Sequence, residues 1–203
     1  NKKEFDTIYH EHFSYFSLIS LERILAKFNL TVFDAQQKDI HGGSLRIFVK
    51  HSKNKNYKIT KKVQKLIIKE RKYGLNKIST YTKFLEETPK IKNDVWKFFI
   101  KKKKENKKIV CYGAAAKGNT FLNYCGIGTE EIEYVADISP HKQKLFLPGS
   151  HIPIYSPNQI KKTKPDYVII LPWNLREEIM SQLSFIKKWN GKFVTFIPKT
   201  RIF

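Results

Sequence analysis

The chain has 203 residues, an apolar fraction of 41% and a formal net charge of +21. That length allows one or two domains with real cores. No stretch approaches the roughly 20 apolar residues of a membrane-spanning helix, no signal peptide is visible, and two cysteines, Cys111 and Cys125, are too few for a disulfide framework or a zinc site.

The cysteines read as small core residues in a reducing, cytoplasmic compartment. Much of the positive charge sits in short runs, such as Lys101 to Lys104 and Lys187-Lys188. Such runs read as solvated faces, and a general lysine bias contributes. A positive field also favours an anionic ligand, so nucleic acid enters as a competing partner. The chain has no initiator Met and opens in mid-pattern, so it is expected to be part of a longer protein.

Phe5 to His12 is the densest polar cluster. His10, His12, Glu11, Tyr9 and Tyr15 lie within seven positions. Histidine titrates near neutral pH, and a neighbouring carboxylate can hold it as a base. The spacing is not His-Glu-x-x-His, so no zincin helix is supported. The plain alternative is a polar loop with aromatic anchors. In a regular strand Tyr9 and Glu11 would share one face and both histidines the other. For all of them to face one site, the segment must turn here.

Leu18, Leu21, Ile24, Leu25 and Phe28 recur at helical spacing, which predicts an amphipathic helix over 17–28, capped by Ser17 or Ser20. Strands are expected at 30–33 and 45–49. Between them, His41-Gly-Gly-Ser44 is a turn or a close approach to a ligand. Residues 52–107 are lysine-rich and poor in glycine. They read as a helical connector, with one helix stopping near Gly74 and one or two more through Phe99 and Ile100.

From Lys108 the pattern is β-α-β repeated. Strands are expected at 108–112, 133–138, 167–171 and 193–197, with helices at 118–124 and 174–188. Such alternation predicts an α/β fold with a Rossmann-like parallel sheet. Ligands of such sheets bind at the carboxyl ends of the strands. That rule gathers Gly113 to Asn119, Asp137 to Pro140 and Pro172 to Asn174 on one edge. The loop Tyr112-Gly-Ala-Ala-Ala-Lys-Gly-Asn-Thr120 is neither a Walker A nor a strict G-x-G-x-x-G, because Ala115 replaces the second glycine. It serves either an anion on free backbone N–H groups, helped by Lys117, or close strand–helix packing. Asp137 stands where a Rossmann fold puts its ribose-binding acid, or it caps a helix.

The ordered set Phe5-Asp-Thr-Ile-Tyr-His-Glu-His12 with Phe13-Ser-Tyr-Phe-Ser17, His41-Gly-Gly-Ser-Leu-Arg46, Tyr112 to Thr120, Asn123-Tyr-Cys-Gly126, Pro148-Gly149 with His151-Ile-Pro153, and Leu171-Pro-Trp-Asn174 resembles the C-terminal half of the S-adenosylmethionine (SAM)-dependent sugar C-methyltransferases. One departure is Lys144, where the family often has glycine. The resemblance implies residues 1–51 as the end of the methyltransferase domain, 52–107 as the connector, and 108–203 as a complete nucleotide-sugar-binding domain. It implies SAM bound mainly by an upstream part, and zinc in a cysteine-rich N-terminal domain. The implied partner is a nucleotide-diphosphate sugar, with no nucleic acid and no membrane.

The implied chemistry is removal of a proton beside a ketone, followed by methyl transfer to the enolate. By resemblance His12 is the base, Glu11 orients or charge-tunes it, and Tyr9 hydrogen-bonds the sugar or enolate. His10 is the structural histidine. The diphosphate would lie at Gly113, Ala115, Lys117, Gly118 and Asn119. His41 and Ser44 would line the sugar pocket. No metal is expected in this chain, and the 203 residues alone are expected to be inactive. The rivals are an NAD-dependent oxidoreductase using Gly113 and Asp137, which leaves Tyr9 to His12 unexplained, and a non-catalytic basic module that binds nucleotide or nucleic acid.

Overall fold

The computed structural model describes residues 3–203, with His41 described by its backbone alone. The chain forms two compact units, one of residues Ser14–Leu85 and one of Asn1–Phe13 with Glu86–Phe203. These bounds differ from the expected segments. The first helix of the expected connector packs with the hairpin before it, and the last turns of the connector pack on the sheet that follows.

In the Ser14–Leu85 unit, α1 (Leu18–Ala26) starts at Ser17, whose hydroxyl accepts from Ser20 N while Ser20 Oγ accepts from Ser17 N. The Leu18 and Ile19 amides, which lack intrahelical partners, donate to the two oxygens of Glu70 at 2.9 Å each. β1 (Leu30–Lys38) and β2 (Ser44–His51) form an antiparallel hairpin, from Leu30 opposite His51 to Lys38 opposite Ser44, with an irregularity at Val32/Asp34. β1 runs past its apolar start through half-buried Asp34 and Gln36 and exposed Gln37. α2 (Lys61–Tyr73) ends at Gly74, which is left-handed at φ +89°. Leu18, Val32, Ala35 and Val63 form the core of the unit, supported by Ile47, Leu66 and Ile67.

α3 (Ile78–Lys104) is one helix that runs through Pro89, where one or two helices were expected. Its Ile91, Val95, Phe98 and Phe99 are buried in the core of the second unit. That unit is built on six strands: β3 (Ile109–Tyr112), β4 (Val135–Ala136), β5 (Ile154–Tyr155), β6 (Tyr167–Ile170), β7 (Lys192–Thr195) and β8 (Arg201–Ile202). Their order is β5-β4-β3-β6-β7-β8, with β3 to β7 parallel and β8 antiparallel at the edge. This is the Rossmann order, and the chain reverses direction across the sheet between β3 and β6.

The continuous apolar runs Ile109–Tyr112 and Tyr167–Ile170 follow from burial on both faces. Ile109, Cys111 and Ile169 point into one core with α3 and α4 (Ala116–Cys125). Val110, Tyr112, Val168 and Ile170 point into the other, with α5 (Asn158–Thr163), α6 (Arg176–Gln182) and the turns after α6. Phe98 meets Tyr167 and Phe196 edge-on at 5.5 and 5.4 Å, and Phe121 stacks on Phe196 at 5.6 Å. Both cysteines are free and fully buried. The helix expected over 174–188 is broken into α6 and flanking 3-10 turns. Among the described residues no helix is long and apolar enough to cross a membrane.

Gly118 marks where α4 presses on β6. A Cβ there would lie 2.7 Å from Leu171 Cβ and 2.9 Å from its Cδ1. Leu171 is itself buried and cannot swing away. Gly118→Ala is therefore expected to cost about 1–3 kcal/mol by overpacking. Gly126, with nothing within 4 Å of its Cβ position and φ +71°, should cost about 1 kcal/mol as Ala from its left-handed backbone. Urea unfolding of the two variants checks the order, and an equal or smaller loss at Gly118 contradicts it.

Candidate functional site

The carboxyl edge of the sheet is organised by the loops after β3, β4 and β6. Gly113 stands at φ +89°, and a Cβ on it would meet Pro172 Cδ at 2.5 Å. The two glycines of the loop thus lie against Pro172 and Leu171, so close packing accounts for both. α4 follows Ala115, which offers no side-chain cap. Its first turn, Ala116 to Gly118, presents the uncapped N-terminal amides of a helix, where an anion is favoured.

Asp137 closes the first loop. Its Oδ2 accepts from Ala114 N at 2.6 Å and its Oδ1 from Ser139 N at 2.8 Å. Lys142 adds a 2.7 Å bond to the Ala114 carbonyl and stands 3.8 Å from Asp137 Oδ2. Asp137 is buried. A ribose 2′-OH would compete with these amides for the carboxylate, so the residue braces the loop, and the NAD reading loses its acidic partner. Lys142 had no role in the sequence reading, because its partner is a backbone carbonyl 28 positions away.

Lys117 donates to Asn174 Oδ1 at 2.6 Å, and its ammonium sits 4.9 Å from the centre of the Trp173 ring. Partial burial lowers its pKa, and the nearby Asp6 and Glu4 oppose that shift. The Trp173 indole N–H donates to Asp6 Oδ2 at 2.7 Å. Asp6 lies in the 3-10 turn Phe5–Thr7 at 1% exposure. Burial pushes its carboxyl up to about 6, while the Trp173 bond and the Lys117 charge pull it down. Asn119 Oδ1 accepts from Asn123 Nδ2 at 3.3 Å, and the same amide donates to the Pro148 carbonyl at 3.0 Å.

The Phe5–Thr7 turn lies on α4. Phe5 packs on Tyr124 and Phe121 with ring centres 4.7 and 6.2 Å apart, and the Thr120 hydroxyl lies 3.4 Å from the Ile8 carbonyl. The chain then turns, with His12 N donating to the Tyr9 carbonyl at 2.9 Å. A strand is avoided, as a shared site requires. The Tyr9 and His12 rings are 4.2 Å apart. His12 Nδ1 lies 2.8 Å from the Thr7 carbonyl. A carbonyl only accepts, so Nδ1 carries the proton and a neutral ring keeps its lone pair at Nε2. Glu11 stands 3.9 Å from His10 Nε2, and both of these side chains are exposed. The contact described for Glu11, expected to orient or charge-tune His12, is thus with His10.

His41 and Ser44 belong to the other unit. Ser44 opens β2 and donates to the Ile40 carbonyl at 3.2 Å, while the His41 side chain lies outside the described residues. Asp6 is the functional candidate that sequence reasoning passed over. It lay inside the quoted cluster, but nothing local announces that a carboxylate beside Phe5 is buried. Among the described residues no three His, Cys, Asp or Glu side chains gather as a metal site.

The family described as C-methyltransferase C-terminal domain matches residues 39–198. The chain is also 35% identical over 199 residues to the C-methyltransferase NovU of Streptomyces niveus, an alignment that takes in 98% of this chain and 47% of that protein. The chain thus spans about half the length of that curated relative. With four-fifths of its residues inside the family match and nearly all of them aligned to this relative, the chain belongs to the C-methyltransferase family and carries its C-terminal domain.

Proposed function

We propose that this chain is the C-terminal part of a SAM-dependent enzyme that methylates a carbon next to the ketone of a nucleotide-linked keto-deoxysugar. One observation carries the reading. The Tyr9–His12 turn and the Gly113–Asn119 loop lie in one compact unit, joined where Thr120 meets the Ile8 carbonyl. A base and an anion-favouring helix start thereby share one scaffold.

A C–H beside a ketone is acidic because its carbanion is an enolate. His12 Nε2 takes that proton, and the Tyr9 hydroxyl hydrogen-bonds the oxygen that gains charge. Glu11 tunes the charge around the two histidines. The diphosphate lies at the first turn of α4, against the amides of Lys117 and Gly118 and the side-chain amide of Asn119, and it draws the Lys117 ammonium from Asn174. Gly113, Ala115 and Asp137 shape the loop that aims those amides. SAM supplies the methyl group. The loop after β3 gives it no open glycine cradle, because Gly113 and Gly118 pack against Pro172 and Leu171. Its site, and zinc in a cysteine-rich domain, are assigned to the part of the parent outside this chain.

Calorimetric titration of the full-length protein with dTDP, GDP, CDP, UDP and NAD tests the ligand class. One nucleoside diphosphate should bind, and Lys117→Ala should weaken it about tenfold or more, as loss of a charge-assisted hydrogen bond. Binding of NAD alone would sink the reading. The base is tested separately by His12→Gln, expected to slow methyl transfer about 100- to 10,000-fold while leaving diphosphate affinity intact. An unchanged rate removes His12 from the role.

A further inference from the structure

Asp6 is a costly residue to keep where it is. Its carboxylate is 1% exposed, one oxygen takes the Trp173 indole proton, and Oδ1 has no hydrogen-bond partner among the described residues. It borders a small cavity at the carboxyl end of β6, lined also by Phe121, Leu171, Trp173 and Phe196, with room for about one water molecule. A buried, half-satisfied carboxylate destabilises a fold relative to an apolar side chain of the same shape. Packing alone is therefore a poor reason for it.

Its position suggests what it does. The residue after it, Thr7, offers the carbonyl that holds His12 Nδ1. Trp173, which holds Asp6, also lies under the Lys117 ammonium and next to Asn174. A single chain of contacts thus runs from Lys117 through Trp173 and Asp6 to the peptide that sets the His12 ring. We propose that Asp6 is a positioning residue: by accepting the Trp173 N–H it fixes the Thr7 carbonyl, and through it the tautomer and placement of His12. The charged groups that face Asp6 are Glu4, on its own segment, and Lys117, on α4. This inference rests on His12 being the base.

The test uses the full-length enzyme with 15N-labelled histidine. The His12 imidazole signal, identified by its loss in His12→Gln, should show a protonated Nδ1 and an unprotonated Nε2. Asp6→Ala and Trp173→Phe should mix the two tautomers. They should also lower kcat by about 10- to 100-fold with KM for the sugar nucleotide within about twofold, as expected for a displaced base. Asp6→Asn keeps an acceptor for the indole and should restore both readouts. The proposal is overturned if the two disruptive variants leave the tautomer unchanged, or if Asp6→Asn is as impaired as Asp6→Ala. Should Asp6→Ala fail to fold, Trp173→Phe decides alone, since it keeps an aromatic ring and removes the N–H donor. A wild-type enzyme without methyl transfer would defeat the functional reading, while the tautomer spectra would still judge Asp6.

Discussion

The approach of two loops to each other at the β3–β6 crossover sets the geometry of the whole carboxyl edge. No Cβ fits between Gly113 and Pro172, and none between Gly118 and Leu171. Because α4 can sit that low on β6, its first turn lies beside Trp173 and Asn174, and Lys117 reaches both. Raise the helix by one methyl group and the Lys117–Asn174 bond lengthens, the indole loses its cation, and the seat of the Phe5–Thr7 turn on α4 tilts. Glycine in this loop therefore acts through packing first, and any anion site at α4 is a consequence of it.

The Asp137 brace is the second constraint. A carboxylate that accepts two backbone amides, Ala114 and Ser139, locks the loops after β3 and β4 to each other. A Rossmann fold that binds a dinucleotide leaves the equivalent acid to the ribose. Here the same position in the same topology does structural work, which separates this unit from the dehydrogenases that share its strand order.

What the sequence revealed follows from which signals are local. The runs Ile109–Tyr112 and Tyr167–Ile170 announce buried strands because every residue is apolar. β4, expected over 133–138, is only Val135–Ala136, and β5, of two residues, is too short for any periodicity and was not foreseen. The Ser17 cap was legible, but the Glu70 carboxylate on the Leu18 and Ile19 amides was not, because it arrives from about 50 positions away. The site divides in the same way. The Tyr9–His12 motif and the loop carrying Lys117 were visible as short patterns. The burial of Asp6, and the turn of Glu11 toward His10, depend on packing that no window of neighbouring residues encodes.

The unit bounds carry a consequence for how the protein is made. The Ser14–Leu85 unit holds sixteen lysines and arginines against four carboxylates, and it interrupts the sequence of the other unit. The segment bearing Tyr9 to His12 leaves the ribosome before its anchor, Trp173, which lies 167 residues after Asp6. At roughly 5–20 residues per second that is a wait on the order of ten seconds or more. Throughout it Phe5, buried in the folded unit, lacks the core that covers it. The Tyr9–His12 turn is thus made well before the residues that give it its shape.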